Sequence, residues 1–185
     1  GDATGADSDG TYLININKVI SGDDFSCALA NSGKVYCWGS AANGRLGDNQ
    51  ASTDRLTPVL VQDGLATGAD SDGTNLINIK NLGKGYRHAC ALSKSGKTYC
   101  WGTGSSGRLG NNDVADQSTP VLVLAGAATG VDSDGANLIN INLISGGDGH
   151  TCAVANSGKT YCWGAAANGR LGNGTSNPNQ HTPVR

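Results

Sequence analysis

One stretch of sequence occurs three times in this chain and limits the folds open to it. It runs from Cys27 to Gly47 as CALANSGKVYCWGSAANGRLG, from Cys90 to Gly110 as CALSKSGKTYCWGTGSSGRLG, and from Cys152 to Gly172 as CAVANSGKTYCWGAAANGRLG, at offsets of 63 and 62 residues. All six cysteines and all three tryptophans lie inside these copies. A period of this length marks a repeat architecture, in which each unit buries its apolar faces only against its neighbours.

Each copy sets two cysteines ten positions apart around a turn. With Cys27 opposite Cys37 in an antiparallel pair, Leu29 faces Val35 and Ala30 faces Lys34. Asn31-Ser32-Gly33 is then left as a three-residue loop. Such a loop is a type I turn followed by a left-handed residue, and glycine suits that position. The same register puts Gly96 and Gly158 third in the other two loops. Opposed residues in an antiparallel pair lie within disulfide reach. The register therefore predicts disulfides Cys27–Cys37, Cys90–Cys100 and Cys152–Cys162. Zinc is the competing reading, but zinc clusters draw on closely spaced pairs such as C-x-x-C, and these are C-x9-C. In this hairpin Cys27, Leu29, Val35 and Cys37 point one way and Ala28, Tyr36 and Trp38 the other. Both faces are apolar, so both require burial. A sheet covered on both faces by other sheets is a propeller blade.

The remaining sequence agrees with an all-β chain. Glycine occurs 29 times, charged residues make up only 15%, and no segment sustains a 3.6-residue apolar period. The longest apolar run, Pro120 to Ala128, is too short to span a membrane as a helix. A net charge of −2 with no Lys/Arg cluster argues against a nucleic-acid partner and gives no reason to expect an anionic membrane surface. With no methionine in the chain, Gly1 reads as a processed or excised end. Paired cysteines then fit a secreted or cell-surface protein that has lost a signal peptide. Asn173-Gly174-Thr175 is a glycosylation triplet of low specificity.

A second motif recurs in phase with the first. Residues 3–16 read ATGADSDGTYLINI, 66–79 ATGADSDGTNLINI and 128–141 ATGVDSDGANLINI. LINI alternates as a short strand, Asp-Ser-Asp-Gly reads as a tight turn, and a glycine-rich linker leads into the cysteine hairpin. Each unit closes on Thr-Pro-Val at 57–59, 119–121 and 182–184. Strands are expected at Val59 to Val61 and Val121 to Val123, with proline at their start. Residues 1–185 thus form a single array of three ~62-residue repeats, 3–65, 66–127 and 128–185, each with about four short strands.

The run of Cys-Ala-Leu, Ser-Gly-Lys, Tyr-Cys-Trp-Gly, Gly-Arg-Leu-Gly and Thr-Pro-Val resembles the repeat of the regulator of chromosome condensation family. The cysteine-paired form is similar to its bacterial, exported members. The resemblance covers nearly the whole chain and implies β-propeller blades, each a four-stranded antiparallel sheet, with the Asp-Ser-Asp-Gly hairpin as an insertion. Three blades do not close a propeller. The ring is therefore incomplete unless the chain is oligomeric or part of a longer propeller. Arg185 stops where other copies continue into a strand, and Gly1 starts where they have just left one. That phase predicts head-to-tail contact between copies, as a ring or a filament.

Several residues are candidates for chemistry. Asp7/Asp9, Asp70/Asp72 and Asp132/Asp134 are either a calcium-binding turn or aspartates that cap their own backbone; the third ligand and distal Glu of an EF-hand are missing. His88 and His150 share a slot with Phe25, which reads as packing, while His181 has no counterpart. Arg45, Arg108 and Arg170 are either a ring of anion sites or partners of carbonyls and carboxylates at blade junctions. Trp38, Trp101 and Trp163 are expected to pack between blades. No nucleophile elbow, P-loop, metalloprotease motif or Ser-His-Asp set occurs, no cofactor other than calcium is implied, and one surface is offered three times over. The expected function is non-enzymatic, extracellular and structural or adhesive, binding copies of itself or another protein. The alternative is a protein-binding regulator or enzyme inhibitor using one face of a closed propeller. The family's guanine-nucleotide exchange does not fit disulfide-stapled repeats. The stretches Asp48–Leu56, Asn111–Ser118 and Asn173–His181 differ most between repeats and are where partner specificity is expected.

Overall fold

The structure, a computed structural model, describes residues 5–185. Gly1 to Thr4, with the reading of Gly1 as a processed end and the start of the first repeat at residue 3, lie outside the described residues. Twelve strands form three separate four-stranded antiparallel sheets among the described residues. The first is β1 (Ile16–Ser21), β2 (Phe25–Ala30), β3 (Val35–Gly39) and β4 (Arg55–Leu60). The second is β5 (Ile79–Lys84), β6 (His88–Ser93), β7 (Thr98–Gly102) and β8 (Gln117–Leu122). The third is β9 (Ile141–Gly146), β10 (His150–Ala155), β11 (Thr160–Gly164) and β12 (Gln180–Val184). Strands neighbour one another in chain order within each sheet.

The cysteine hairpins have the register read from the sequence. Cys27 pairs with Cys37, Ala28 with Tyr36 and Leu29 with Val35, and the later copies repeat this. Gly33, Gly96 and Gly158 take positive φ at 86°, 98° and 83°. The cysteines fall at non-hydrogen-bonded positions of the ladder, where the strands come closest. Their Cα atoms are 4.1, 4.0 and 4.1 Å apart, and all three disulfides are formed.

Two expectations are corrected. The first strand of each sheet is not LINI but begins at its last residue and runs through the segment read as a linker. Asn15, Asn78 and Asn140 stand just before it with φ of 56°, 61° and 58°, a left-handed conformation that breaks any strand. Leu13, Leu76 and Leu138 instead make single bridges to Ser8, Ser71 and Ser133, closing the inserted hairpin. The last strand of each sheet starts earlier than expected, at Arg55, Gln117 and Gln180, so proline lies within it. There Leu56, Thr57 and Pro58 bulge opposite Trp38 alone, on an edge strand where a missing N–H is tolerated.

The sheets stack face to face, with β1, β5 and β9 side by side at one edge. Lys18 Nζ reaches from β1 to Asn81 Oδ1 at 2.7 Å and Leu82 O at 2.8 Å. The core lies between sheets. One cluster joins Cys27, Leu29, Val35 and Cys37 to Ala89, Ala91, Tyr99 and Trp101 of the second sheet. The next joins Cys90, Leu92 and Cys100 to Ala153, Tyr161 and Trp163 of the third. The small alanines let each tryptophan and disulfide lie close to the facing sheet.

Candidate functional site

The loop after the third strand of each sheet carries Gly-Arg-Leu-Gly and builds the junction to the next sheet. Arg45 and Arg108 are buried there. Arg45 donates from Nε to Ala42 O at 2.8 Å and from Nη1 to Asp23 O at 2.7 Å. Arg108 donates to Ser105 O at 2.8 Å, Asp148 O at 2.7 Å and Ser105 Oγ at 2.8 Å. At these two positions the bonded guanidinium donors are spent within the junction, on carbonyls and the Ser105 hydroxyl. The arginine backbone is also used. Trp101 Nε1 donates to Arg45 O at 3.1 Å, and Trp163 Nε1 to Arg108 O at 2.9 Å. Both indoles are fully buried between blades.

His88 adds a polar member at the second junction. Its Nε2 lies 2.8 Å from Thr151 Oγ1 of the third sheet, whose hydroxyl in turn donates to Arg108 O at 2.9 Å. Since that hydroxyl proton is committed, the imidazole is the donor and is neutral, with Nδ1 bare and without a partner among the described residues. Burial, with Arg108 and His150 nearby, pushes its pKa down to about 3. At the first junction Phe25 fills the slot of His88 and shares a cluster with Ala89, which occupies the position of Thr151. The junctions thus match ring to partner: an apolar ring against alanine, an imidazole against a hydroxyl. Gly22, Gly85 and Gly147 make room for these rings, since a Cβ on any of them would overlap the ring three residues later.

The two aspartates of each pair do not converge on one point. In each pair the second carboxylate caps its own turn. Asp9 accepts from the N–H of Thr11 and Tyr12, Asp72 from Thr74 and Asn75, and Asp134 from Ala136 and Asn137, at 2.7–3.1 Å. Those hydrogen bonds hold the three carboxyls below the usual carboxylate range. The first carboxylate is buried elsewhere. Asp7 Oδ2 accepts from Ser32 Oγ (2.7 Å) and Tyr36 Oη (2.9 Å). Asp70 does the same with Ser95 and Tyr99, at 2.5 and 3.0 Å. Asp132 does so with Ser157 and Tyr161, at 2.7 and 2.9 Å. Among the described residues no three His, Cys, Asp or Glu side chains gather as a metal site. This Asp–Ser–Tyr latch pins each inserted hairpin to the cysteine hairpin after it. The sequence reading missed it, although its separations of 25 and 29 residues are constant in all three copies. At Asp132 burial opposes ionisation, but Ser157, Tyr161 and Lys159 outweigh it and the pKa falls. Tyr99→Phe is expected to lower stability by about 2 kcal/mol, the cost of a hydrogen bond to a buried charge, as measured by urea unfolding. A change below about 0.5 kcal/mol would show that the latch contributes nothing.

At the two ends of the array the same surfaces lie open. On the third sheet Cys162, Ala166 and Leu171 cluster with the partly buried Cys152 and Val184, and no further sheet among the described residues covers them. Arg170 is exposed, and its Nε still donates to Ala167 O at 2.8 Å. Gly47 and Gly110 abut the Trp101 and Trp163 indoles, whereas Gly172 has open space before it. On the first sheet Val19 is 56% exposed, while Leu82 and Ile144 at the same position are 0% and 8% exposed. Trp38 is half-buried, and among the described residues its N–H meets no acceptor. The loops of greatest sequence difference join the third and fourth strands, with Leu56 and Val114 exposed. In the first of them Asp48 is buried against Arg55 at 2.6 Å, beside a cleft of about 390 Å³. His181 lies in β12, its carbonyl accepting from Asn112 N at 3.0 Å and its ring against Gly107.

Disulfide-stapled four-stranded antiparallel sheets, stacked face to face with a tryptophan at each junction, are blades of an incomplete β-propeller. The Regulator of chromosome condensation (RCC1) repeat model matches residues 32–92 and 95–154, and a second model of that repeat matches 16–45 and 81–108. The chain belongs to the RCC1 repeat family. Among curated relatives it is 33% identical over 174 residues to the ultraviolet-B receptor UVR8 of Arabidopsis thaliana, covering 93% of this chain and 34% of the receptor. It is 32% identical over 161 residues to the mouse E3 ubiquitin-protein ligase HERC2, covering 87% of this chain and 3% of the ligase. The chain therefore spans about a third or less of these relatives. Among solved structures, Prp20p from Saccharomyces cerevisiae superposes with a TM-score of 0.72 at 20% identity, over 94% of this chain and 38% of Prp20p. Human WBSCR16 superposes at 0.51 and 20% identity, over 92% of this chain and 52% of its own. These two likenesses concern the fold.

Proposed function

We propose that the chain is a non-enzymatic protein-binding array of propeller blades. One observation carries this reading. The two complete junctions bury tryptophan, disulfide and alanine side chains of one blade against the next, so these repeats present surfaces of the kind that packs against protein. The three disulfides support an oxidising, extracellular setting, and with it a structural or adhesive role. A second reading, a regulator or inhibitor acting through the loops between third and fourth strands, draws on the exposed Val114 in one such loop and on the exposed Leu56 at the start of β4. It also draws on relatives: Prp20p is described with binding to Gsp1p and histones, and yeast RCC1 bound to Kap60.

A photo-crosslinking residue placed at Leu143, on the open face of the third sheet, or at Val114, on a loop, separates the two readings. The chain is exposed to the medium and to a cell extract of its source. Protein adducts through Leu143 are expected. Adducts through Val114 alone would favour the regulator, and no adduct at either site would overturn protein binding altogether.

A further inference from the structure

We infer that the cleft beside Asp48 and Arg55 is a binding site for a small hydroxylated carboxylate, of the class of a sugar acid. The cleft lies at the outer rim of the first junction. One wall is the first sheet, with Arg55 and Val59; the other is the inserted hairpin of the second repeat, with Gln62 and Thr74. Val59 pairs with Cys37 and so faces the second sheet, as that cysteine does. Both walls therefore belong to one internal junction. The inference goes beyond the protein-binding reading and does not depend on it.

The second junction is the control, because it has the same backbone. Asn112 N donates to His181 O as Asn49 N does to Ser118 O, and Leu124 N to Gly110 O as Gln62 N does to Gly47 O. The side chains differ. The positions of Asp48 and Arg55 hold Asn111 and Gln117, and those of Gln62 and Thr74 hold Leu124 and Ala136. Four departures from the repeat thus line one cleft, and each replaces a neutral or apolar group with a charged or polar one. The blade does not need the ion pair to fold, since the third blade also has Asn173 and Gln180 there. The Asp48 side chain is 5% exposed, and burying its charge is a cost that the other blades avoid.

What the buried carboxylate does is fix the arginine. Asp48 Oδ1 accepts from Gln50 N at 3.2 Å, and Oδ2 accepts from Arg55 Nε at 2.6 Å. The Arg55 side chain is 31% exposed, and its two Nη groups have no partner among the described residues. The Gln62 amide and the Thr74 hydroxyl make no hydrogen bond among the described residues either. A guanidinium held in place with free terminal donors matches the paired oxygens of a carboxylate, and little entropy is lost in ordering it. The Asp48–Arg55 pair is neutral as a whole, so it suits a monoanion recognised by geometry rather than a phosphate dianion recognised by charge. The amide and the hydroxyl suit hydroxyl groups on the same ligand, and Val59 and Leu60 give its carbon skeleton an apolar wall. A cleft of about 390 Å³ is of the size that holds small molecules.

The test is an NMR titration of the nitrogen-15-labelled chain, disulfides intact, with glucuronate as the probe. Saturable shifts are expected at the backbone amides of Gln62, Thr74 and Asn75 and at the Arg55 Nε–H, with a dissociation constant of millimolar order. Asp48→Asn with Arg55→Gln should weaken binding at least about tenfold, the loss of a charge-assisted hydrogen bond. That double variant copies the Asn111/Gln117 pair of the second blade, so it is expected to fold, and the rest of its spectrum checks that it does. Glucose, which has the hydroxyls without the carboxylate, should bind at least about tenfold more weakly than glucuronate. Inorganic phosphate should not displace glucuronate at equal concentration. No saturable shift at these amides overturns the inference, as does equal affinity in the double variant. Glucose binding as tightly as glucuronate, or phosphate binding more tightly, overturns the assignment to a carboxylate. None of these outcomes bears on crosslinking to proteins, so the two readings stand or fall separately.

Discussion

Lowering the pH from 7 to 4 is expected to remove about 3 kcal/mol of stability through His88 alone. The folded protein holds this imidazole neutral, with a pKa pushed down to about 3 by burial and by the neighbouring Arg108 and His150, against 6.5 in the unfolded chain. Above pH 6.5 neither state carries the proton and the stability is whole. Below it the unfolded chain takes up a proton that the folded chain refuses. Stability then falls by about 1.4 kcal/mol per pH unit until the folded group titrates near 3. The window is therefore pH 6.5 to 3.

The control follows from the first junction. His88→Phe with Thr151→Ala rebuilds the Phe25/Ala89 match in the second junction and removes the titrating group. Urea unfolding at pH 7 and pH 4, with disulfides intact, should show wild type losing about 3 kcal/mol more than the double variant. The variant keeps a residual loss, because His150 is also depressed and the carboxyls of Asp9, Asp72, Asp132 and Asp134 are held low. Equal losses in the two proteins would show that His88 takes up its proton in the folded state without strain.

The parts of the fold legible in the sequence were those fixed by local geometry. Cysteine spacing and the turn glycine independently give one hairpin register, because a ladder and its loop are decided within a dozen residues. The first strand of each blade was misread because Asn15, Asn78 and Asn140 interrupt an alternation that looks continuous on paper, and asparagine tolerates the left-handed conformation. The Asp–Ser–Tyr latch was missed for a different reason. Asp7 and Asp9 look alike as turn residues, and only the packing of the inserted hairpin turns one inward and leaves the other to cap. The match of His88 to Thr151 was out of reach of any one repeat, since it joins residues 63 apart across two sheets. Aligning the copies shows that Phe25 precedes Ala89 in the stack as His88 precedes Thr151. That pattern has no meaning until the face of each strand is known.

The three tryptophans place one side chain in three environments and give the largest expected effect on stability. Trp101→Ala should cost about 3–5 kcal/mol, the usual range for removing a buried aromatic and leaving a cavity. Trp101 is fully buried, its indole lies against Gly47, and it donates to Arg45 O. Trp163→Ala should cost a similar amount, since that indole lies against Gly110 and donates to Arg108 O. Trp38→Ala in this chain should cost at least about 2 kcal/mol less, because this ring is only half-buried and its N–H meets no acceptor among the described residues. Midpoints of urea unfolding for the three variants decide it. The residues beside the three rings are nearly the same in sequence, so any difference reports the junction rather than the local blade. Equal costs at all three positions would mean that the hairpin holds the tryptophan and the neighbouring blade adds nothing. The stack would then be held by its inner strands and the other contacts across the junctions instead.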